Sequence, residues 1–237
     1  MPNLTAGIGN LTHALLNLVF PIRCVGCQSQ GKLFCERCAR DLPVLQPPFC
    51  LLCAQPDQEG YCRGCAPVSS QVSAIDGIRA PFLMEGAIRK AIHEFKYRSV
   101  FAIAPELGAL LANYFESNPI PADTIAPVPL HPRRLRSRGY NQAALLATQL
   151  GKLSDIQVEE HMLARTKDTP PQAQSISQQR RQINVSESFT CVGDASGKAI
   201  LLVDDVVTTG STMSACAAAL KQHGATSVWG LALARES

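Results

Sequence analysis

Charge is sparse in this sequence. Asp, Glu, Lys and Arg make up 17% of 237 residues, and the formal net charge is only +3. So small a balance excludes global attraction as the route to a nucleic acid or a membrane, and any such partner must be met by local clustering. Aromatic residues are scarcer still, at 5% with a single Trp. A nucleic-acid strand would therefore be held mainly by its backbone, and in a salt-sensitive way. Long apolar runs are missing too. The best, Leu11 to Ile22, is broken by Thr12, His13 and Asn17, with no basic segment before it. It is too short to span a bilayer and lacks the basic segment an export signal requires, and the chain is expected to have no transmembrane segment. That stretch reads as a short helix buried against the body, with peripheral contact at the inner face of a membrane as the alternative. The expected location is the cytoplasm. A Walker-type phosphate loop is also lacking. The nearest run, Gly193-Asp-Ala-Ser-Gly197-Lys198-Ala199, is one residue short, lacks the hydroxyl and precedes a strand. A P-loop nucleotide hydrolase is thereby excluded.

Apolar residues are ample, at 46%, which supports a real core and excludes wholesale disorder. Cysteine is abundant but uneven: eight of the ten lie between Cys24 and Cys65. They form four Cys-x-x-Cys pairs, Cys24/Cys27, Cys35/Cys38, Cys50/Cys53 and Cys62/Cys65. Two thiolates of one tight turn reach the same ion, and two turns complete a tetrahedral shell. In a reducing compartment this predicts two structural Zn²⁺ sites rather than disulfides, with an iron–sulfur cluster as the lesser alternative. Sequential pairing is the simplest arrangement, and interleaved pairing is the other. Gln28, Ala39, Ala54 and Ala66 stand where a knuckle usually has glycine. Pro43, Pro47 and Pro48 read as a stiff spacer between the halves. A segment this small needs metal to fold.

Residues 1–68 thus read as an N-terminal helix plus metal module, and 69–237 as a separate domain beyond the linker Ser69–Ser73. Helices are predicted from Ala87, Ile88, Ala91, Ile92 and Phe95, over Pro105–Phe115, over Tyr140–Leu150, and over Ser211–His223 up to Gly224. Strands are predicted over Asp123–Pro129, Ala199–Val203 and Val228–Ala234. Alternation of strand and helix argues for an α/β fold with a mostly parallel sheet.

Two runs carry chemistry. In Ile200-Leu-Leu-Val-Asp204-Asp205-Val-Val-Thr208-Thr209-Gly210-Ser211-Thr212 a buried strand ends in two acids. A loop of hydroxyls and Gly210 then leads into a helix, with Ser211 or Thr212 as its cap. Backbone amides and dipole at such a helix start hold a phosphate, and paired acids suit the hydroxyls of a ribose, directly or through Mg²⁺. The second run, Pro127-Val-Pro-Leu-His131-Pro-Arg133-Arg134-Leu-Arg136-Ser-Arg138-Gly-Tyr140-Asn141-Gln142, places four arginines in a loop before a helix. It reads as an anion site for pyrophosphate or a nucleic-acid backbone. Arg165 to Phe189, rich in Gln and Ser, reads as either an exposed insertion or a lid over the site.

The acid–acid–loop run resembles the type I phosphoribosyltransferase family. That resemblance implies binding of 5-phosphoribosyl-1-diphosphate with Mg²⁺, ribose hydroxyls on Asp204 and Asp205, and the 5-phosphate on Thr208, Thr209, Gly210, Ser211 and Thr212. Arg133, Arg134, Arg136 and Arg138 would add cations for the leaving group. Over nearly its whole length the chain resembles the ComF family, a zinc-ribbon module followed by a phosphoribosyltransferase-like domain. Its marks are the cysteine pairs, Phe95-Lys96-Tyr97, Pro127-Val-Pro129, Arg138-Gly-Tyr-Asn-Gln142, Arg181-x-x-Asn184 and the acid run itself. One departure is Arg98-Ser99, where relatives commonly have a glycine. The resemblance implies single-stranded DNA and the competence machinery as partners in DNA uptake. Two other readings stand beside it: an active phosphoribosyltransferase on a small acceptor, and a zinc-stabilised interaction protein with a vestigial site.

Overall fold

The computed structural model describes residues 21–56, 58–66, 73–98, 100–166 and 188–236. The expected helix before Ile22, the linker at 69–72 and most of the expected lid, 167–187, lie outside the described residues.

Ile88, Ala91, Ile92 and Phe95 recur at helical spacing and form the buried face of a helix over Gly86–Tyr97. Among the described residues, four further helices follow, at Ala104–Ser117, Pro132–Arg138, Gln142–Ser154 and Ser211–Gln222, with one short helix at Glu36–Arg40 in the cysteine-rich part. In chain order we number Glu36–Arg40 α1, Gly86–Tyr97 α2, Ala104–Ser117 α3, Pro132–Arg138 α4, Gln142–Ser154 α5 and Ser211–Gln222 α6. The strands are β1 (Gly77–Arg79), β2 (Phe82–Leu83), β3 (Thr124–Pro127), β4 (Gln157–Val158), β5 (Leu163–Arg165), β6 (Phe189–Cys191), β7 (Ala199–Val207) and β8 (Ser227–Arg235).

The main sheet has the order β1-β8-β7-β3-β4, with β2 continuing the β1 edge along β8, and every pairing in it is parallel. The α/β expectation holds. Alternate residues of β7 serve opposite layers: Ile200 and Leu202 pack with Met213, Cys216 and Leu220 of α6. Leu201 and Val203 pack with Ile88, Leu107 and Leu146 of α2, α3 and α5. Each such side chain contributes roughly 1.5–3 kcal/mol by leaving water.

Two expectations shift. The strand expected at Ala199–Val203 runs on to Val207, because β8 keeps pairing with it as far as Val207↔Arg235. The arginine segment, expected as a loop, is the helix α4. His131 Nδ1 accepts from Arg133 N at 3.3 Å, Pro132 occupies the first turn, and Gly139 ends the helix in a left-handed conformation at φ 81°. Caps at both ends fix a helix that has no apolar stripe to announce it.

Candidate functional site

Chain order sets the position of the site. From β3 the chain crosses through α5 to β4 on one side, whereas β7 and β8 lie on the other. Open parallel sheets take ligands at such a reversal, at the carboxyl ends of the strands. Strand β3 pairs with β7 only as far as Pro127↔Val203. Beyond that point β7 has β8 on one flank, and its other flank opens onto a cavity of about 580 Å³. Lys96, Tyr97, Arg134, Arg138, Arg165, Asp204, Asp205 and Thr212 are among its lining residues.

Asp204 and Asp205 therefore lie inside the last turns of β7 rather than after it. Asp205 is buried, 5% exposed, and its carboxylate Oδ1 is 2.8 Å from Lys96 Nζ at the carboxyl end of α2. Asp204 Oδ1 accepts a hydrogen bond from Asp205 N at 2.8 Å. Asp204 keeps some surface open to the pocket, yet the dense protein around it, and then the neighbouring Asp205 charge, raise its carboxyl to about 7. One acid is thus ion-paired, and the other is poised near neutrality. Sequence reasoning gave Lys96 no role. It sits on the polar flank of an amphipathic helix, and only the tertiary fold brings it to an acid far along the chain.

The loop after β7 places Thr208 and Thr209 exposed, Ser211 and Thr212 partly covered, and Thr212 against the cavity. The helix cap differs from expectation: Gly210, at φ 78°, is the N-cap residue of α6, and no side chain fills that role. Its neighbour compensates. Thr209 Oγ1 accepts from Ser211 N at 3.3 Å and donates to Ser211 Oγ at 3.0 Å. A Cβ on residue 210 would sit 2.7 Å from Ile78 Cδ1, so both conformation and space call for glycine.

Of the four arginines, only Arg134 and Arg138 line the cavity, one helical turn apart on α4, while Arg133 and Arg136 are exposed outside it. Arg138 also donates to Gln142 Oε1 at 3.0 Å, and its guanidinium lies 5.2 Å from the Tyr97 ring centroid. Much of the Arg138–Gln142 run is a latch. Tyr140 Oη and Gln142 Nε2 donate to Phe95 O, and Asn141 Nδ2 donates to Val128 O at 3.0 Å while its Oδ1 caps α5. Arg165, from the β5–β6 hairpin, is a further cation at the cavity that sequence reasoning did not single out.

The eight cysteines gather as Cys24, Cys27, Cys35, Cys38 and as Cys50, Cys53, Cys62, Cys65, with the sulfurs of each set within 4.8 Å of one another. Pairing is sequential. Measured separations are 3.7 Å for Cys24–Cys38, 3.6 Å for Cys27–Cys35 and 3.8 Å for Cys53–Cys62. Zn–S bonds of about 2.3 Å in a tetrahedron require sulfurs about 3.8 Å apart, so both sets fit zinc. All ten cysteines are free thiols. The missing knuckle glycines are explained locally: Gln28 and Ala54 themselves adopt φ 65° and 58°, and Ala39 lies in α1. The two sets repeat with a period of 26 to 27 residues, since Cys35 N and Cys62 N donate to Cys24 Sγ and Cys50 Sγ in the same way.

Each ribbon is tied to a different element of the larger domain. In the first, Gly26 O accepts from Lys90 Nζ of α2 at 3.1 Å. In the second, Leu52 O accepts from Ile78 N at 2.7 Å, and Arg235 bridges Gln55 Oε1 and Val207 O. Between them the expected spacer pairs with the sheet edge, Leu45 N to Pro81 O and Leu83 N to Pro43 O.

Residues 102–235 match the phosphoribosyl transferase domain family, and residues 15–66 match the double zinc ribbon domain. Competence protein F of Haemophilus influenzae is 30% identical over 230 residues, which cover 91% of this chain and 98% of that protein. The DNA utilization protein YhgH of Escherichia coli K12 is 34% identical over 143 residues, 58% of this chain and 62% of that one. Among solved structures, glutamine phosphoribosylpyrophosphate amidotransferase from B. subtilis, complexed with ADP and GMP, aligns with 55% of this chain and 26% of its own length. Its identity is 23% and its TM-score 0.39. With one relative aligned almost end to end and a domain match over more than half of its residues, the chain belongs to the ComF family, a double zinc ribbon joined to a phosphoribosyl transferase domain.

Proposed function

We propose that this chain binds 5-phosphoribosyl-1-diphosphate in the cavity and handles single-stranded DNA during natural transformation. The carrying observation is the cavity itself: two acids at one wall, Arg134, Arg138 and Arg165 around it, and the start of α6 at its floor. Asp204 and Asp205 would take the ribose hydroxyls, the Thr208–Thr212 loop the 5-phosphate, and the arginines the diphosphate. Mg²⁺ would supply charge neutralisation on the diphosphate, and Asp204 is the acid whose carboxylate suits it, Asp205 being paired with Lys96. The names of the H. influenzae and E. coli relatives, a competence protein and a DNA utilization protein, support a role in handling DNA.

Titration calorimetry with the ribosyl donor tests the pocket. Mg²⁺-dependent binding is expected, with loss in Asp204→Asn/Asp205→Asn; no heat in the wild type overturns the reading and leaves a vestigial site. A deletion strain complemented with wild type or the same variant tests whether transformation depends on the pocket. Replacing Arg133, Arg134, Arg136 and Arg138 by Ala should flatten the salt dependence of DNA binding, by roughly 0.7 in log–log slope for each phosphate no longer neutralised.

A second reading, an active transferase, is favoured by Asp204. A carboxyl raised to about 7 is matched to proton transfer at neutral pH. Pyrophosphate release that needs both an acceptor and Mg²⁺ would establish it; donor binding without turnover across an acceptor screen would leave a ligand-binding site.

A further inference from the structure

Aromatic residues are few, yet the two most exposed rings among the described residues are near neighbours in sequence. Tyr97 is 65% and Phe101 60% exposed. Tyr97 ends α2 and lines the cavity; Phe101 opens the short 3₁₀ turn before α3. Burying either ring would stabilise the fold, so their joint exposure is not explained by the core.

The rings are held from below. Tyr140 donates to Phe95 O and stands against Phe101 with centroids 6.1 Å apart at 72°, and against Phe95 at 5.9 Å. Tyr97 is flanked by His93, with centroids 5.0 Å apart, and by the Arg138 guanidinium. Because Arg138 and Tyr140 adjoin across Gly139, the two exposed rings rest on one short segment of chain. Cations surround it. Arg134 and Arg138 line the cavity, and the Arg98 side chain is 70% exposed, 3.5 Å from Glu94. Exposed aromatic faces set among arginines fit an alternation of bases and phosphates.

We infer that Tyr97 and Phe101 form a stacking platform for bases of a bound single strand of DNA, with its phosphates along Arg98, Arg134 and Arg138. This rests on the DNA-handling reading above and gives it a surface. The platform adds base contacts to a strand that the low aromatic content leads one to expect is held mainly by its backbone. What it recognises is a planar heteroaromatic base, which could also arrive as a free acceptor at the cavity, so the test separates the two sources.

Fluorescence anisotropy on the zinc-loaded full chain compares an oligothymidylate with an abasic strand carrying the same number of phosphates. Wild type should prefer the base-bearing strand by roughly tenfold for each stacked base. Tyr97→Ala/Phe101→Ala should bring that preference close to unity while keeping the salt slope, whereas Tyr97→Phe should keep the preference. Both rings are exposed, so unchanged zinc content and unfolding midpoint serve as the check on folding. Equal wild-type binding of the two strands removes the platform and leaves backbone binding standing. A preference that survives in the double alanine variant also overturns it. Binding of neither strand overturns the DNA reading and the platform together. Loss of free thymine binding in the double variant, with strand preference intact, would assign the rings to a small acceptor instead.

Discussion

Asp204→Asn offers a test in which function and stability move in opposite directions. Asp204 is held at about 7 in the folded protein, against an ordinary value of 3.8. Its charged form is therefore disfavoured by folding, and the sign follows from linkage. Relative stability is greatest below about pH 4, where the group is protonated in both states. It is lost as pH rises through about 7, because the unfolded chain ionises freely while the native site resists. Asparagine removes the titration and keeps the Oδ1 that accepts from Asp205 N. Treated as a single site, the stability advantage of Asp204→Asn over wild type should grow by roughly 2–3 kcal/mol between about pH 5 and pH 8. For a chain of this size that corresponds to a widening of about 4–12 °C in midpoint. Thermal unfolding of ligand-free protein across the range measures it, with donor calorimetry alongside. A gap that is constant, or that narrows towards pH 8, would refute the assignment of Asp204 as the strained acid. The variant should meanwhile lose donor binding.

Three further outcomes follow from the same geometry. Lys96→Met leaves a buried carboxylate beside Asp204 without its cation and should cost roughly 3 kcal/mol near pH 8, less in acid; a urea midpoint unchanged at pH 8 would contradict it. Gly210→Ala meets both a left-handed backbone and Ile78, and should destabilise by about 1–2 kcal/mol or more while weakening donor binding; unaltered denaturation and calorimetry would count against a loop shaped by that residue. Metal analysis should find two Zn²⁺ per chain, and Cys53→Ser should retain one; two ions in the variant would contradict the sequential ligand sets.

The parts legible in the sequence were those written in local periodicity. Ala199–Val203 is apolar without break because layers of helices cover both faces of β7, and the acids and hydroxyls after it mark where the cover ends. Cysteine spacing likewise fixed the four turns, since a Cys-x-x-Cys pair is a local device. What escaped was either capped or distant. Helix α4 has charged residues almost all round, so no hydrophobic stripe showed it; His131, Pro132 and Gly139 were the available signals. Lys96 reaches Asp205, and Leu52 meets Ile78, only through the tertiary fold. Arg133 and Arg136 could not be told from Arg134 and Arg138 until the helix gave them opposite directions. The edge strand β1–β2 was too short and too broken by Pro81 to declare itself.

The repeated ribbons have a mechanical consequence. Equivalent carbonyls, Gly26 O and Leu52 O, grip different bodies: one the helix that delivers Lys96, the other the strand beside the Gly210 turn. With the spacer pinned to the sheet edge between them, the metal module bridges that helix and that strand like a caliper. A duplicated motif whose copies diverged in what they touch sets a distance between its two jaws. The gap between the acid-pairing cation and the Gly210 turn is thereby gauged by residues outside the cavity lining, and small changes in the spacer would retune it without altering a single lining side chain.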